Sequence, residues 1–509
     1  MRNVFLLFFV LVFCLSIGVR AQAPDYYLPA FTKAISLVVD GMKALGGEEN
    51  TKNIKYLYID YTGQKYMDGQ SVSFNKDNVS LPFQNTVVVD FEKDRVVNEV
   101  VNRFLGGYIF HFRSVYTDSS AFSYEVPQMR FSGVTNLSLA DKNVVKNDVI
   151  LRNLPNYLLK AALDKKLTLR YLGLKEEGGE NYEVVAFPYN TTLTLDLYFD
   201  PSSKLLKKFE FFTDNIIHGN QRLSYQFSDY KDFNGVLFPQ VKTVTSNGKL
   251  VRKEFASTII INERKGEALF VKPVQYGASE ILPFATKEIG KNIFMLEGLS
   301  GYNPLILNFK DHLVLVEAPA AAQEAIAIAE KKFPGKPIKN VVITHYHEDH
   351  AGRLDCFIKK DIPIITTPDN VSYIRHLTQA QHSLFALGIE NKKPVVETFV
   401  GSKTLQDDSL QVQLIDFGPN SHAQELLVLY FPKEKILYQA DLLISTDKGG
   451  LVKPLIPVNF ELYQQIKKHK LKVETIYGVH WKAVKFADFE NAIKAQTPQA
   501  KINSENTRS

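Results

Sequence analysis

The stretch Val341-Val342-Ile343-Thr344-His345-Tyr346-His347-Glu348-Asp349-His350 decides the fold of this chain. Its β-branched apolar start reads as a buried strand. Three imidazoles and a carboxylate then fall within positions 345–350, so the cluster sits on the loop at that strand's end, where sites gather in layered α/β folds. In extended backbone alternate residues share a face, so His345 and His347 converge on one ion. Where the loop turns into the next helix, Asp349 and His350 point to the other side, a geometry that suits two neighbouring metals. With 11 histidines in 509 residues, chance produces this spacing in about a few chains in ten thousand.

Working outward, three more groups follow in loops beside strands. His422 lies in Gly418-Pro419-Asn420-Ser421-His422, between strands read at 412–415 and 426–430. Asp441 follows the strand Ile436-Leu437-Tyr438, and His480 ends Tyr477-Gly478-Val479-His480. Upstream, strands at 305–309 and 313–316 precede an alanine-rich helix read at 320–333, and a further helix is expected after Gly352. The six remaining histidines, His111, His218, His312, His376, His382 and His469, are isolated and read as surface or satisfied interior residues. Cys356, on the helix expected after the motif, reads as a small buried residue.

The segment from about Ile289 to Ala495 resembles the metallo-β-lactamase superfamily of metal-dependent hydrolases. The likeness rests on the HxHxDH motif at His345 to His350, followed by single His, Asp and His in matching order and spacing. The resemblance implies an αββα sandwich with the site at one edge. It places His345, His347 and His422 on a first zinc and Asp349, His350 and His480 on a second, with Asp441 bridging both. Asp349 and Asp441 are the residues expected to take part in catalysis, Asp349 by orienting the attacking water. Many members carry Asp where this chain has Glu317, which is expected to support a ligand rather than to be one. Zinc β-lactamases typically have Cys or Ser where this chain has Asp441. That aspartate resembles hydroxyacylglutathione hydrolases, lactonases and phosphodiesterases instead.

The chemistry is sensible apart from the family. Imidazole and carboxylate ligands suit zinc, and iron or manganese also accept such a set. Two divalent ions sharing a water lower its pKa enough to supply a bridging hydroxide near neutral pH. The expected reaction is hydrolysis of a small-molecule substrate, with esters, lactones or thioesters ahead of phosphodiesters and β-lactams.

The first half has a different grammar. Apolar residues from Pro29 to Leu45 fall at helical spacing, and Gly46-Gly47 stops the helix. Strands rich in Val, Tyr, Phe and Thr follow, at 54–61, 86–91, 182–187, 191–199, 205–212, 223–227 and 238–245, interrupted by one helix at 155–163. Alternation suggests an antiparallel sheet with one face buried. The texture is faintly similar to periplasmic lipoprotein-carrier domains, which implies a half-barrel holding an apolar ligand, with Tyr56, Tyr58, Phe110, Phe112, Tyr198 and Phe199 lining it. The plainer reading is that these aromatics fill the core.

Length and composition frame the whole. A chain of 509 residues suggests more than one domain. The fold class expected is α+β in two domains: a signal peptide at 1–21, a β-rich accessory domain at 22–275, a hydrolase domain at 283–496 and a polar disordered tail at 497–509. Arg2 precedes an apolar run, Val4 to Val19, with small residues near Ala21 where a signal peptidase cuts. Cys14 is preceded by Phe13, where lipoprotein signals want a small residue. An exported protein, periplasmic or secreted, is the expectation. A formal charge of +5 without a basic cluster argues against nucleic acid as partner, and no later run reaches the ~18 apolar residues of a membrane span. The competing reading is a periplasmic carrier of an apolar ligand whose second half is a non-catalytic metal-binding scaffold.

Overall fold

The computed structural model describes residues 27–127, 130–131, 133–278 and 284–506. The expected signal peptide and Cys14 lie outside the described residues. The protein is mixed α/β and β-rich, with 14-, seven- and six-stranded sheets among the described residues. No described helix is long and apolar enough to cross a membrane.

The 14-stranded sheet occupies the first half. At its centre, strand Tyr56–Tyr66 pairs antiparallel with both Ser80–Asp90 and Lys249–Ile261, so Ile59 stands beside Val87 and Ile259. From this pair the chain meanders outward both ways, and the order ends at two different edge strands, Gly277–Ala278 and Arg170–Glu177. The sheet is therefore open. Helices Tyr27–Ala44 and Pro155–Asp164 cover one face of it. Leu37, Val38 and Met42 from the first and Leu158, Leu159 and Ala162 from the second pack against Val185, Phe187, Leu197, Phe199, Phe209 and Tyr225. Of the six aromatics read as cavity lining, Phe199 belongs to this core, Tyr56 and Tyr58 to a second cluster, and Tyr198 is buried. Phe110 lies under the Arg130 guanidinium at 3.9 Å and stacks with Phe112. An apolar ligand in this half finds no support.

Several elements of this half escape the sequence pattern. Strands Arg95–Arg103, Ile109–Tyr116 and Lys249–Ile261 form, as does helix Lys142–Asn153, beyond the two helices expected. These strands carry charged or polar residues on their solvated side, which blurs the alternation, and the helix is polar overall with only Val149, Leu151 and Asn153 buried.

The second half holds the other two sheets. In the seven-stranded sheet, Leu313–Val316, Ile338–Val342, Ile364–Thr366 and Val396–Thr398 run parallel. In the six-stranded sheet, Ile436–Gln439 runs parallel to Thr475–Gly478. One apolar cluster is shared by both sheets, joining Leu305, Val314, Val316 and Val342 to Val412, Leu427, Leu429 and Tyr438. A second joins the seven-stranded sheet to helices Ala322–Lys332, Asp355–Lys359 and Val371–Gln379 and contains Cys356. A third joins the other sheet to helix Pro457–Lys468 and to Phe489 and Ile493.

Two boundaries differ from the sequence reading. A helical turn, Glu348–Ala351, already includes His350, whereas the helix was expected only after Gly352. Gly352 closes that turn: a Cβ there would meet the Glu348 carbonyl oxygen at 2.3 Å. The last helix, Phe486–Asn506, continues through the segment read as a disordered tail from 497.

Candidate metal centre

Four loops deliver the candidate ligands to one edge and a fifth delivers Glu317, each leaving the C-terminal end of a strand. Val316 and Val342 are register partners, so Glu317 and the 344–350 loop emerge side by side. Gln439 and Gly478 are also partners, which puts Asp441 and His480 two residues beyond a matched pair. The backbone N–H of Leu427 donates to the Thr344 carbonyl (2.9 Å), tying the His422 loop to the motif loop.

Each loop is shaped locally. Asn420 Oδ1 accepts from the N–H groups of His422 and Ala423, at 2.8 and 2.9 Å, an Asx turn that presents His422. Gln439 Oε1 accepts from Leu442 N and Leu443 N, closing the turn around Asp441. Asn303 Nδ2 donates to the carbonyls of Gly478 and Trp481, which bracket His480. Glu317 adopts φ +74°, the left-handed region that costs a non-glycine residue about 1 kcal/mol or more. This conformation turns its buried carboxylate under His350, with Oε2 3.5 Å from Nδ1.

The seven residues singled out in the sequence come together. His345, His347, His422 and Asp441 form one group able to hold a metal ion, and Asp349, His350, Asp441 and His480 form another, with ligand atoms within 4.8 Å of one another in each. Asp441 is common to both. Its Oδ2 lies 3.0 Å from His422 Nε2 and 3.1 Å from His350 Nε2, while Oδ1 lies 3.1 Å from His480 Nε2. His345 Nε2 and His422 Nε2 are 3.2 Å apart. His347 Nε2 is 2.8 Å from the Ser71 carbonyl, to which it can only donate, so its lone pair is on Nδ1. That Nδ1 is buried without a hydrogen-bond partner. A buried, unpartnered nitrogen among imidazole and carboxylate donors fits a divalent cation of the zinc, iron or manganese type.

The electrostatics follow from burial and from this mixture. Burial, then the neighbouring His350, lowers His345 to about 3, and burial takes His347 well below its ordinary value, so both rings carry free lone pairs. Burial also opposes charge on His350 and His480. In His350 the Asp441 and Asp349 carboxylates overcome it and hold the ring well above its usual value; His480 is raised to about 9 by hydrogen bonds to Asp349 and Asp441. Against the same penalty, His350 keeps Asp349 and Asp441 well below the carboxylate range. Glu317 goes the other way, raised by burial.

Beside the centre is a cleft of about 340 Å3. Tyr302, Glu348, Asp349 and Arg353 line it from the second half, Gln70 and Ile216 from the first. The sequence pattern pointed to none of Gln70, Ser71, Tyr108 or Tyr302. No local spacing marks them, since Ser71 and His347 are 276 positions apart. The six isolated histidines all stay outside the two groups.

Ligand-bearing loops at one sheet edge and a carboxylate shared by two donor groups describe a metal-dependent, hydrolase-like enzyme. Comparison with known proteins names the class: residues 310–480 match the family model of the metallo-beta-lactamase superfamily, so the C-terminal part of this chain is metallo-β-lactamase-like. The 2,4-dinitroanisole O-demethylase subunit alpha of Nocardioides sp. (strain JS1661) is 27% identical over 136 residues, which is 26% of this chain. This chain spans only 38% of that relative's length. A metallo-beta-lactamase from Pontibacter korlensis aligns at 16% identity over 42% of this chain and 98% of its own, with TM-score 0.32. The DIM-1 metallo-beta-lactamase aligns at 19% identity over 42% and 96%, also with TM-score 0.32.

Proposed function

We propose that the protein is an exported, dinuclear zinc hydrolase acting on a small ester, lactone or thioester in the periplasm or outside the cell. The observation that carries the reading is Asp441: one buried carboxylate in contact with His350, His422 and His480, common to both donor groups. On this reading His345, His347 and His422 hold one ion, Asp349, His350 and His480 the other, and Asp441 bridges. The three apolar clusters, helix on sheet, sheet on sheet and sheet on helix, support an αββα sandwich as the scaffold.

Bound divalent ions supply a Lewis acid and an acidified water. The chain's own residues do the rest. Asp349, beside the cleft and held ionised by His350, orients the attacking water. Glu317 fixes the His350 ring from behind. Tyr302, its ring 5.4 Å from that of His480, walls one side of the cleft, and Gln70 and Ile216 close the other. The nucleophile is water, so no covalent enzyme intermediate forms. β-Lactams and phosphodiesters rank behind carbonyl esters, and the likeness to an O-demethylase subunit adds aryl methyl ethers to the substrates worth screening.

The test is metal content per chain by elemental analysis, paired with turnover of simple esters and thioesters. Two zinc ions per chain are expected. Asp441→Ala should lower that number and cut turnover by about a thousandfold or more, roughly 4 kcal/mol of transition-state stabilisation. A protein that retains no metal after resupply would sink the reading.

A further inference from the structure

Residues 67–79 join the two central strands of the large sheet, and they leave that sheet to enter the ligand region. Ser71, 1% exposed, accepts two hydrogen bonds at its carbonyl, from Tyr346 Oη (2.6 Å) and from His347 Nε2 (2.8 Å). Its neighbour Gln70 donates from Nε2 to Asp349 Oδ1 (3.3 Å). The other oxygen, Oδ2, then faces His350 Nε2 and His480 Nε2 at 3.5 and 3.4 Å. The Val72 carbonyl accepts from Gln424 N, two residues past His422, at 2.6 Å.

The loop is locked in this place from the far side. Ser73 Oγ and Asn75 Nδ2 donate to Asp369 Oδ1, at 2.8 and 3.1 Å. The Phe74 ring sits among Tyr346, Tyr373 and His376, with centroids 5.8, 5.6 and 5.2 Å away. A second strut comes from the same half, where buried Tyr108 Oη donates to the Asp441 carbonyl at 2.8 Å.

We infer that the 67–79 loop of the N-terminal half is a positioning element of the metal centre. Its Ser71 carbonyl selects Nδ1 of His347 as the ligand atom, and Gln70 aims Asp349 Oδ2 at the second ion. The inference rests on the dinuclear reading above and goes beyond it, because it makes the β-rich half a part of the centre rather than an accessory domain. Groups that orient metal ligands in this way are typically worth about 10- to 100-fold in metal affinity.

The experiment uses the full chain and zinc alone, with chelator competition giving the affinity of each site and circular dichroism reporting the fold. Phe74→Ala removes the anchor and is expected to weaken the His347 site by about 10- to 100-fold. Phe74→Leu, which refills the aromatic cage, should recover most of that loss. Gln70→Ala should weaken the other site by less. Tyr346→Phe deletes one hydrogen bond without opening a cavity and Gln70→Ala trims a half-buried side chain at the cleft wall, so they decide the matter even if the Phe74→Ala chain does not fold. Two zinc ions bound with unchanged affinity in all folded variants would overturn the inference and leave the enzyme reading intact. A wild-type chain that binds no zinc would remove that reading itself.

Discussion

Each half buries a set of ionisable groups, and these two sets are neutralised in opposite ways. In the N-terminal half, buried Glu254 is paired with Lys242 at 2.8 Å and with Arg252, Asp90 with Arg95 and Arg264, and Glu210 with Lys208 and Arg222. Burial lowers Lys242 to about 8 against the pull of Glu254, yet every buried carboxylate of that set faces a fixed cation of the chain. In the C-terminal half, the ion-pair partners of Asp349 and Asp441 are all imidazoles. The first set is balanced by cations of the chain; the other is a set of lone pairs and carboxylates able to hold an external cation. The kind of partner, rather than burial, separates a structural network from a metal centre.

That contrast can be broken experimentally, most forcefully at Lys242. Lys242→Met strips Glu254 of the more deeply buried of its two cations, leaving Arg252, and should cost about 3 kcal/mol of stability, read from urea unfolding, with the metal content of the folded chain unchanged. A drop in zinc content would show that the two networks are coupled. Metal removal by chelator probes the other side and should have a smaller effect. An ion present at a hundred times its dissociation constant stabilises by about 2.7 kcal/mol, so stripping should lower the melting temperature and raise hydrogen exchange at 344–350 and 439–443. Exchange around Lys242 should stay as it was.

The smallest effect sharpens the comparison by using a carboxylate with neither metal nor cation. Burial raises Asp407, but the N–H groups of Lys310, Ser409 and Leu410 and the Ser409 hydroxyl donate to it and bring it down to about 2. Its folded value lies below the unfolded 3.8, so the unfolded chain binds more protons between the two. The contribution is present above about pH 4 and lost as pH falls towards 2. Asp407→Asn should flatten that part of the pH–stability curve by lowering stability at neutral pH, where the contribution is fully present, and leave stability at about pH 2 nearly unchanged.

The two halves also differ in how far they can be read from sequence. In the second, a buried strand followed at once by ligands leaves a local signature. The strands at 313–316, 436–439 and 475–478 lie within a residue or two of their expected places. In the first, Arg95–Arg103 and Lys249–Ile261 are strands because Tyr56–Tyr66 and Ser80–Asp90 lie beside them, and their own composition is too polar to say so.

By itself the sequence determined which residues can bind a metal, because His345, His347, Asp349 and His350 carry their chemistry in spacing that one short loop realises. His422, Asp441 and His480 were legible as strand-end residues in the matching order. Only the tertiary structure decided which ring nitrogen of His347 is free, and that Ser71, Gln70 and Tyr108 reach the site from a different sheet. Those facts depend on contacts between residues hundreds of positions apart. Such contacts are fixed by packing two cores against each other, which leaves no periodic trace in the chain.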